Sequence, residues 1–391
     1  MHDIIKISIF VDENKSQTIM KKLTILFLAA ISLLPVSAQT EKQQEVLNAA
    51  RRANNYFMKK WPDPTKVTFV KKARPSNLWT RAVYYEGLLA LYSIDKNHQY
   101  IDYTDTWANF HKWTARNGVK TNDADDQCCS QAYLERFMMT GDSTMFYPTR
   151  ENLENQMKTK IGWWTWIDAI QMAMPVYAQM YKITGERKYI EHAMKMYRWS
   201  RNECGGGLWN PEDGLWWRDA DYVPPYKEKD GNDCYWSRGN GWVLAAYVRV
   251  MNMLSPKDKI YKEIKKDYMA MCEALAKHQR EDGFWNVSIE SPVTYGGPET
   301  SGTALFLYGI SWGLDKGYLK KKVYRPIADK AWDAMLKDAV HKDGFLGWMQ
   351  GTGKDPSAGQ PLSYDKVPDF EDYGLGCFLL GAVEYYKLIG K

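Results

Sequence analysis

The sequence predicts an all-α protein of helical hairpins stacked in series, with one set of helices inside another. Three observations lead there. Apolar residues recur at three-and-four spacing nearly throughout, and runs of alternating β-branched residues are scarce. Half of the helical segments are apolar all round, whereas the rest carry a single apolar stripe, as an inner and an outer ring would require.

Taken in order, the segments are TRAVYYEGLLALYSI from Thr80, CCSQAYLERFMMT from Cys128, DAIQMAMPVYAQMYKIT from Asp168 and YIEHAMKMYRWSRN from Tyr189. There follow GWVLAAYVRVMNML from Gly241, YKEIKKDYMAMCEALAKHQ from Tyr261, TALFLYGISWGL from Thr303 and PIADKAWDAMLKDAV from Pro326. Between them short polar turns end one helix and the next restarts at an aromatic residue, at Tyr100, Phe146, Tyr189 and Tyr261. That spacing of about one hairpin or more reads as hairpins in series. A second recurrence lies in the loops: GGGLW, DGLWW, DGFWN and DGFLG. Among 17 tryptophans, those in Gly-rich loops suit stacking on the apolar face of a sugar ring, or else loops folded back over the barrel ends.

The start of the 391-residue chain lies outside the fold. From Met20, two lysines, an apolar core and Val36-Ser37-Ala38 form a cleavable secretory signal, preceded by an upstream extension and cut after Ala38. An exported periplasmic or secreted protein follows, with no membrane partner after cleavage and one catalytic-size domain over 39–391. The formal charge of +5 becomes +4 without residues 1–38, which hold four lysines and three acidic residues. So slight an excess gives no reason to expect nucleic acid. Six cysteines form no CxxC pair, six histidines lack ligand spacing, and vicinal Cys128-Cys129 reads as small core hydrophobes. No metal or cofactor is called for.

Chemistry is expected from carboxylates, because no nucleophile elbow or phosphate loop occurs. Asp168, in GWWTWIDAIQMAMP, sits among Trp163, Trp164, Trp166 and Ile167 at the start of an apolar helix. Partial desolvation there would raise its pKa and make it a proton donor, whereas an N-cap role would lower it. In TNDADDQCCSQ, Asp123, Asp125 and Asp126 crowd a helix start, so either the turn is wet or one carboxylate points into a site. In CYWSRGNGW, glycines permit close backbone approach, Arg238 offers a donor fork for a carboxylate, and Trp236 and Trp242 offer flat faces. The alternative is a Gly-rich turn whose arginine is paired internally.

Four motifs in this order, WWTWIDAIQMAMPVYA, GLWWRDAD, CYWSRGNGW and PETSGTALFLYGI, resemble the unsaturated uronyl hydrolases of glycoside hydrolase family 105 and its relative family 88. The resemblance covers most of the chain beyond Ala38. It implies an (α/α)6 barrel and a substrate that is an acidic oligosaccharide with a 4,5-unsaturated uronic acid at its non-reducing end. It also implies hydration of the C4=C5 bond, after which the hemiketal opens and expels the remaining sugar. Position by position, Asp168 becomes the general acid and base, and Asp125 the second aspartate, with Asp126 as its fallback. Trp236, Arg238, Asn240, Trp242, Trp217, Arg218 and Trp164 become the residues around the sugar, with Arg238 holding the uronate.

Two departures accompany the resemblance. Arg218 stands where many relatives have histidine, and a histidine often found upstream of the W-I-D motif has no counterpart in NLENQMKTKIGWW. The competing readings are another (α/α)6 glycosidase, endo-mannanase-like with Asp125 and Asp126 as the pair, and a non-catalytic oligosaccharide binder.

Overall fold

The structure, a computed structural model, describes residues 40–70, 72–366 and 372–391. Lys42–Lys391 make one compact unit; Met1–Glu41 is a second, of which only Thr40 and Glu41 fall among the described residues. The expected signal at Met20–Ala38 lies outside them.

Among the described residues, twelve helices of ten or more residues alternate in role along the chain. The inner set is α2 (Trp79–Ile94), α4 (Ser130–Thr140), α6 (Asp168–Thr184), α8 (Ser237–Met253), α10 (Thr300–Asp315) and α12 (Asp372–Ile389). The outer set is α1 (Glu41–Lys60), α3 (His98–Phe110), α5 (Tyr147–Gln156), α7 (Arg187–Asn202), α9 (Lys259–Lys277) and α11 (Lys321–Asp338). Inner helices pack in the order α2, α4, α6, α8, α10, α12 and back to α2, closing an (α/α)6 barrel. Composition explains which helix goes where. Helix α10 is buried at every residue from Thr300 to Leu314, whereas α7 buries one stripe, including Tyr189, Ile190, Ala193, Met194 and Tyr197.

The polar turns read from the sequence are hairpin connections. Asn97 caps α3 by accepting from the Gln99 amide at 3.1 Å, and Asp258 caps α9 through the Ile260 amide at 2.9 Å. Gly141 and Gly185 end α4 and α6 in the left-handed region, at φ 76° and 73°.

All inner helices begin at one end of the barrel. Arg81 of α2 pairs with Asp372 of α12 at 3.2 Å; Ser237 of α8 reaches Glu299, the cap of α10, at 3.5 Å; Arg238 donates to the Tyr373 hydroxyl at 2.8 Å. Helices α2 and α12 meet backbone to backbone, since a Cβ at Gly87 would lie 2.6 Å from the Gly376 carbonyl oxygen.

The tryptophans of the Gly-rich loops correct one expectation. Trp209, Trp216 and Trp285 are buried within the apolar core and cannot serve as a sugar platform. Their loops fold back over the barrel end: Trp209-Asn210 and Leu215-Trp216 pair as a short antiparallel hairpin. All six cysteines are buried and unbridged, as small hydrophobes would be.

The barrel axis carries a polar layer that sequence periodicity does not disclose. Glu86, wholly buried on α2, accepts from Gln171 at 2.9 Å and lies 3.6 Å from Arg249. Burial is the largest influence on it and drives its carboxyl up to about 7, against the opposing pull of Arg249. A carboxyl raised on folding stabilises the fold fully below its unfolded value, near 4.5. That contribution is lost as pH climbs to about 7, at a cost of about 3 kcal/mol. Denaturant titrations from pH 4 to 9 should therefore show the parent losing stability across this window and Glu86→Gln following a flatter curve. Parallel curves would show that Glu86 does not titrate there.

Candidate active site

The mouth at the N-terminal end of the inner helices gathers charged groups. Asp168 is the first residue of α6, with Ile167 before it as the N-cap and no capping hydrogen bond from its own side chain. The Ile167 amide donates to the Arg218 carbonyl at 2.9 Å, and Trp166 bridges to Asp219. This pairing lays Arg218 alongside Asp168, Nε 3.5 Å from Oδ2. Neither atom makes a hydrogen bond although both are buried. Both retain capacity for a ligand's polar groups. Arg218 also pairs through Nη1 with Asp219, a partner not singled out in the sequence reading.

Asp125 joins this cluster from the short turn Ala124–Gln127 ahead of α4. Asp123 caps that turn, accepting from the Asp125 amide at 2.9 Å. The residue keeps a solvent edge, yet crowding around its carboxyl pushes it up to about 8. Burial is the main cause, followed by the negative charges of Asp123 and Asp168, with Arg218 opposing. The site thus holds two carboxyls under mutual repulsion, one of them beside a permanent cation.

Asp126, the fallback, is corrected. Its side chain turns inward to Arg116 at 2.7 Å, Asn117 at 2.9 Å and Thr121 at 2.6 Å, and is nearly wholly buried. Those bonds saturate it and tie the loop ahead of the turn, leaving Asp125 as the carboxylate at the mouth.

The CYWSRGNGW residues are corrected in the same sense, because they build the site from behind. Arg238 is 1% exposed. Its Nη1 and Nη2 each donate to the Gly351 carbonyl at 3.0 Å, and Nη1 also reaches the Tyr373 hydroxyl and the Gln350 carbonyl. The guanidinium lies over the rings of Trp236 and Tyr373, so little of its fork remains for a uronate. Trp236 is buried too, and donates to the Gln350 side chain at 2.7 Å. Asn240 accepts from the Trp216 amide at 2.9 Å and donates to the Trp216 carbonyl at 3.0 Å, splinting the strand that leads into Trp217 and Arg218. Trp242 and Trp164 are fully buried in the core. Gly241 admits not a ligand but the neighbouring helix, since a Cβ there would lie 2.9 Å from the Leu305 side chain.

Trp217, 9% exposed and with an unpartnered indole N–H, belongs to the apolar core and packs against Tyr235. The mouth therefore brings together Asp125, Asp168 and Arg218. Gln350 and Tyr373 had no local signal, since their roles come from contacts 112 and 135 residues away from Arg238. Glu86 did have one: it is a lone acid in the apolar run VYYEGLLALY. No group of histidine, cysteine or acidic side chains able to hold a metal occurs among the described residues.

Known proteins resemble this chain over nearly its whole length. The family model for Glycosyl Hydrolase Family 88 matches residues 49–389. An unsaturated 3S-rhamnoglycuronyl hydrolase of Formosa agariphila is 30% identical over 337 residues, covering 79% of this chain and 84% of that protein. Among solved structures, a family 88 glycosyl hydrolase from Bacteroides vulgatus superposes with a TM-score of 0.79 at 31% identity, over 88% of this chain and 99% of its own. A solved polysaccharide lyase gives 0.80 at 28% identity, over 89% and 98%. With the barrel, the carboxylate pair and a match from the first outer helix to the last inner one, the chain belongs to glycosyl hydrolase family 88.

Proposed function

We propose that Asp168 and Asp125, with Arg218 beside them, carry the proton transfers by which this glycoside hydrolase removes a 4,5-unsaturated uronic acid from the non-reducing end of oligosaccharides. The observation that supports this most is the contact of Asp168 Oδ2 with Arg218 Nε at 3.5 Å, both atoms buried and unhydrogen-bonded. A carboxyl and a cation so placed can meet the uronate end of the sugar and the carbon that must be protonated. Asp168 delivers a proton to C4, positive charge develops at C5, and water adds there, returning a proton to the carboxylate. The hemiketal then opens and the rest of the sugar leaves as an alcohol. Asp125 keeps the second proton of the pair, so that two like charges are not forced together.

Arg218, in place of Arg238, is the cation available to the uronate, and the inner-helix N-termini add positive potential around it. Arg238, Trp236 and Asn240 act as positioning residues for the loop at Gln350-Gly351 and the strand before Arg218. Export to the periplasm or medium is part of this proposal, because lyase-generated oligosaccharides arise where polysaccharide is cut.

One observation favours a second reading, elimination in place of hydration: the 28% identical solved polysaccharide lyase. Ultraviolet absorbance separates the two. Hydration destroys the conjugated C4=C5–carboxylate and absorbance falls, whereas elimination creates it and absorbance rises. With lyase-generated oligosaccharides, the parent should lower the absorbance and Asp168→Asn should lose about 10³-fold or more of that rate. A rise on saturated glycans would establish the elimination reading instead.

The pH dependence follows from Asp125. Its protonated form is the working one, and its carboxyl is raised to about 8, so kcat/KM should fall as pH rises through that value. In Asp125→Asn this alkaline limb should vanish, whatever the loss in absolute rate; its persistence would assign the limb elsewhere. Arg238→Lys provides a third check. A point charge cannot span Gly351 and Tyr373 together, so KM should rise about tenfold with kcat little changed. A loss confined to kcat would put Arg238 on the reacting sugar after all.

A further inference from the structure

The inner helices finish at the end of the barrel remote from the mouth, and towards that end a pocket of about 200 Å³ opens between α4, α6, α8 and α10. Pro175, inside α6, explains what lines it. Proline has no N–H to give the Gln171 carbonyl, and Gln131 of α4 donates to that carbonyl instead, at 2.7 Å. So pinned, Gln131 accepts from Arg249 Nε at 2.7 Å, which leaves the two terminal nitrogens of the guanidinium uncommitted. Among the described residues neither of them donates a hydrogen bond, and the nearer carboxylate, Glu135, stands 3.9 Å from Nη2. The Glu135 carboxylate and the Tyr308 hydroxyl also line the pocket, and among the described residues neither has a hydrogen-bond partner. Gln179, 2% exposed, donates to the Gln131 carbonyl at 3.1 Å and leaves its Oε1 buried with no partner.

We infer that this pocket is a second, non-catalytic binding site, and that it takes a single neutral, hydroxyl-bearing sugar ring. Donors on Arg249, acceptors on Glu135 and Gln179, and the Tyr308 hydroxyl match adjacent sugar hydroxyls, each of which both donates and accepts. Met138 and Met253 add apolar lining for the C–H face of the ring. Charge decides against ions. An anion on Arg249 would meet Glu135, Glu86 at 3.6 Å from Arg249, and the negative poles of the helix ends. A cation on Glu135 would meet Arg249, and Lys387 is already paired with Glu384 at 2.7 Å. Size decides against a chain, since sites for drug-sized ligands span roughly 300–1,000 Å³. Because the pocket shares no residue with the mouth, the inference stands whatever reaction the mouth performs.

The test titrates the full protein by saturation-transfer NMR with D-glucose, D-galactose and D-mannose as neutral probes and D-glucuronate as the anionic one. Met138 is 40% exposed at the lip of the pocket, so Met138→Trp fills the space without touching its polar groups. Binding lost in that variant belongs to the pocket, and binding that survives belongs to the mouth. At least one neutral sugar should show a saturable loss, and should bind the pocket about tenfold tighter than glucuronate. Tyr308→Phe removes one hydroxyl and should weaken that sugar by about threefold to tenfold. If Met138→Trp takes away no binding, if glucuronate is preferred, or if Tyr308→Phe binds as the parent does, the inference is overturned. Crystals of the parent soaked in the three neutral sugars decide the matter even if a variant does not fold. One ring within hydrogen-bond distance of Arg249 and Gln179 supports the site, and a pocket holding only water overturns it.

Discussion

Six inner helices that all begin at the same end of the barrel are the constraint on which the site depends. Each contributes the positive pole of its dipole to one mouth, which favours an anion there. That pull is small, about 0.3 to 1 kcal/mol for each helix. Asp125 shows what outweighs it: burial and two neighbouring carboxylates drive its proton affinity up despite the helix start beneath it. The mouth is thus biased towards positive potential by its helix starts while making its own carboxyl reluctant to ionise. Both properties follow from packing polar helix starts in a space where water is scarce.

Most of the conspicuous residues of the family motif never approach the substrate side. Arg238 is held by three oxygens and two aromatic faces, an arrangement that offsets the burial of its charge and joins α8 to α12 and to the Gln350-Gly351 loop. Asn240 does the same for the strand ahead of Arg218. A buried polar splint of this kind is costly to break, because every partner it releases stays buried without a bond. The placement of Asp168 and Arg218 is thereby maintained by buried polar groups behind them.

Periodicity made the fold legible, since buried and striped helices differ in composition along their own length, and an acid among tryptophans at a helix start marked Asp168 as a candidate that the structure sets beside Arg218. Direction was not legible. Asp125 and Asp126 are adjacent in one turn, and only the positions of Arg116, Asn117 and Thr121 decide which carboxylate turns inward. Nor was the partner of Arg238: a fork that could hold a ligand carboxylate holds backbone carbonyls equally well, and those lie more than a hundred residues away. The loop tryptophans misled for a related reason. Gly-rich loops let large rings fold back onto the barrel end, where burial of their area outweighs exposure to a ligand.

The guanidinium of Arg218 beside Asp168 shapes the site's response to pH. An imidazole beside Asp168 would gain and lose its charge within the working range, and so would alternately favour and release the carboxylate. A guanidinium stays charged throughout. Charge beside Asp168 is then constant, and Asp219 takes up part of it. At the mouth, burial and acidic neighbours raise the Asp125 carboxyl to about 8 against the opposing charge of the same cation. With a permanent cation beside Asp168, the pH sensitivity of the mouth rests on a carboxyl. Burial and its acidic neighbours hold the proton there, so the packing of the turn before α4 sets the proton affinity of the mouth.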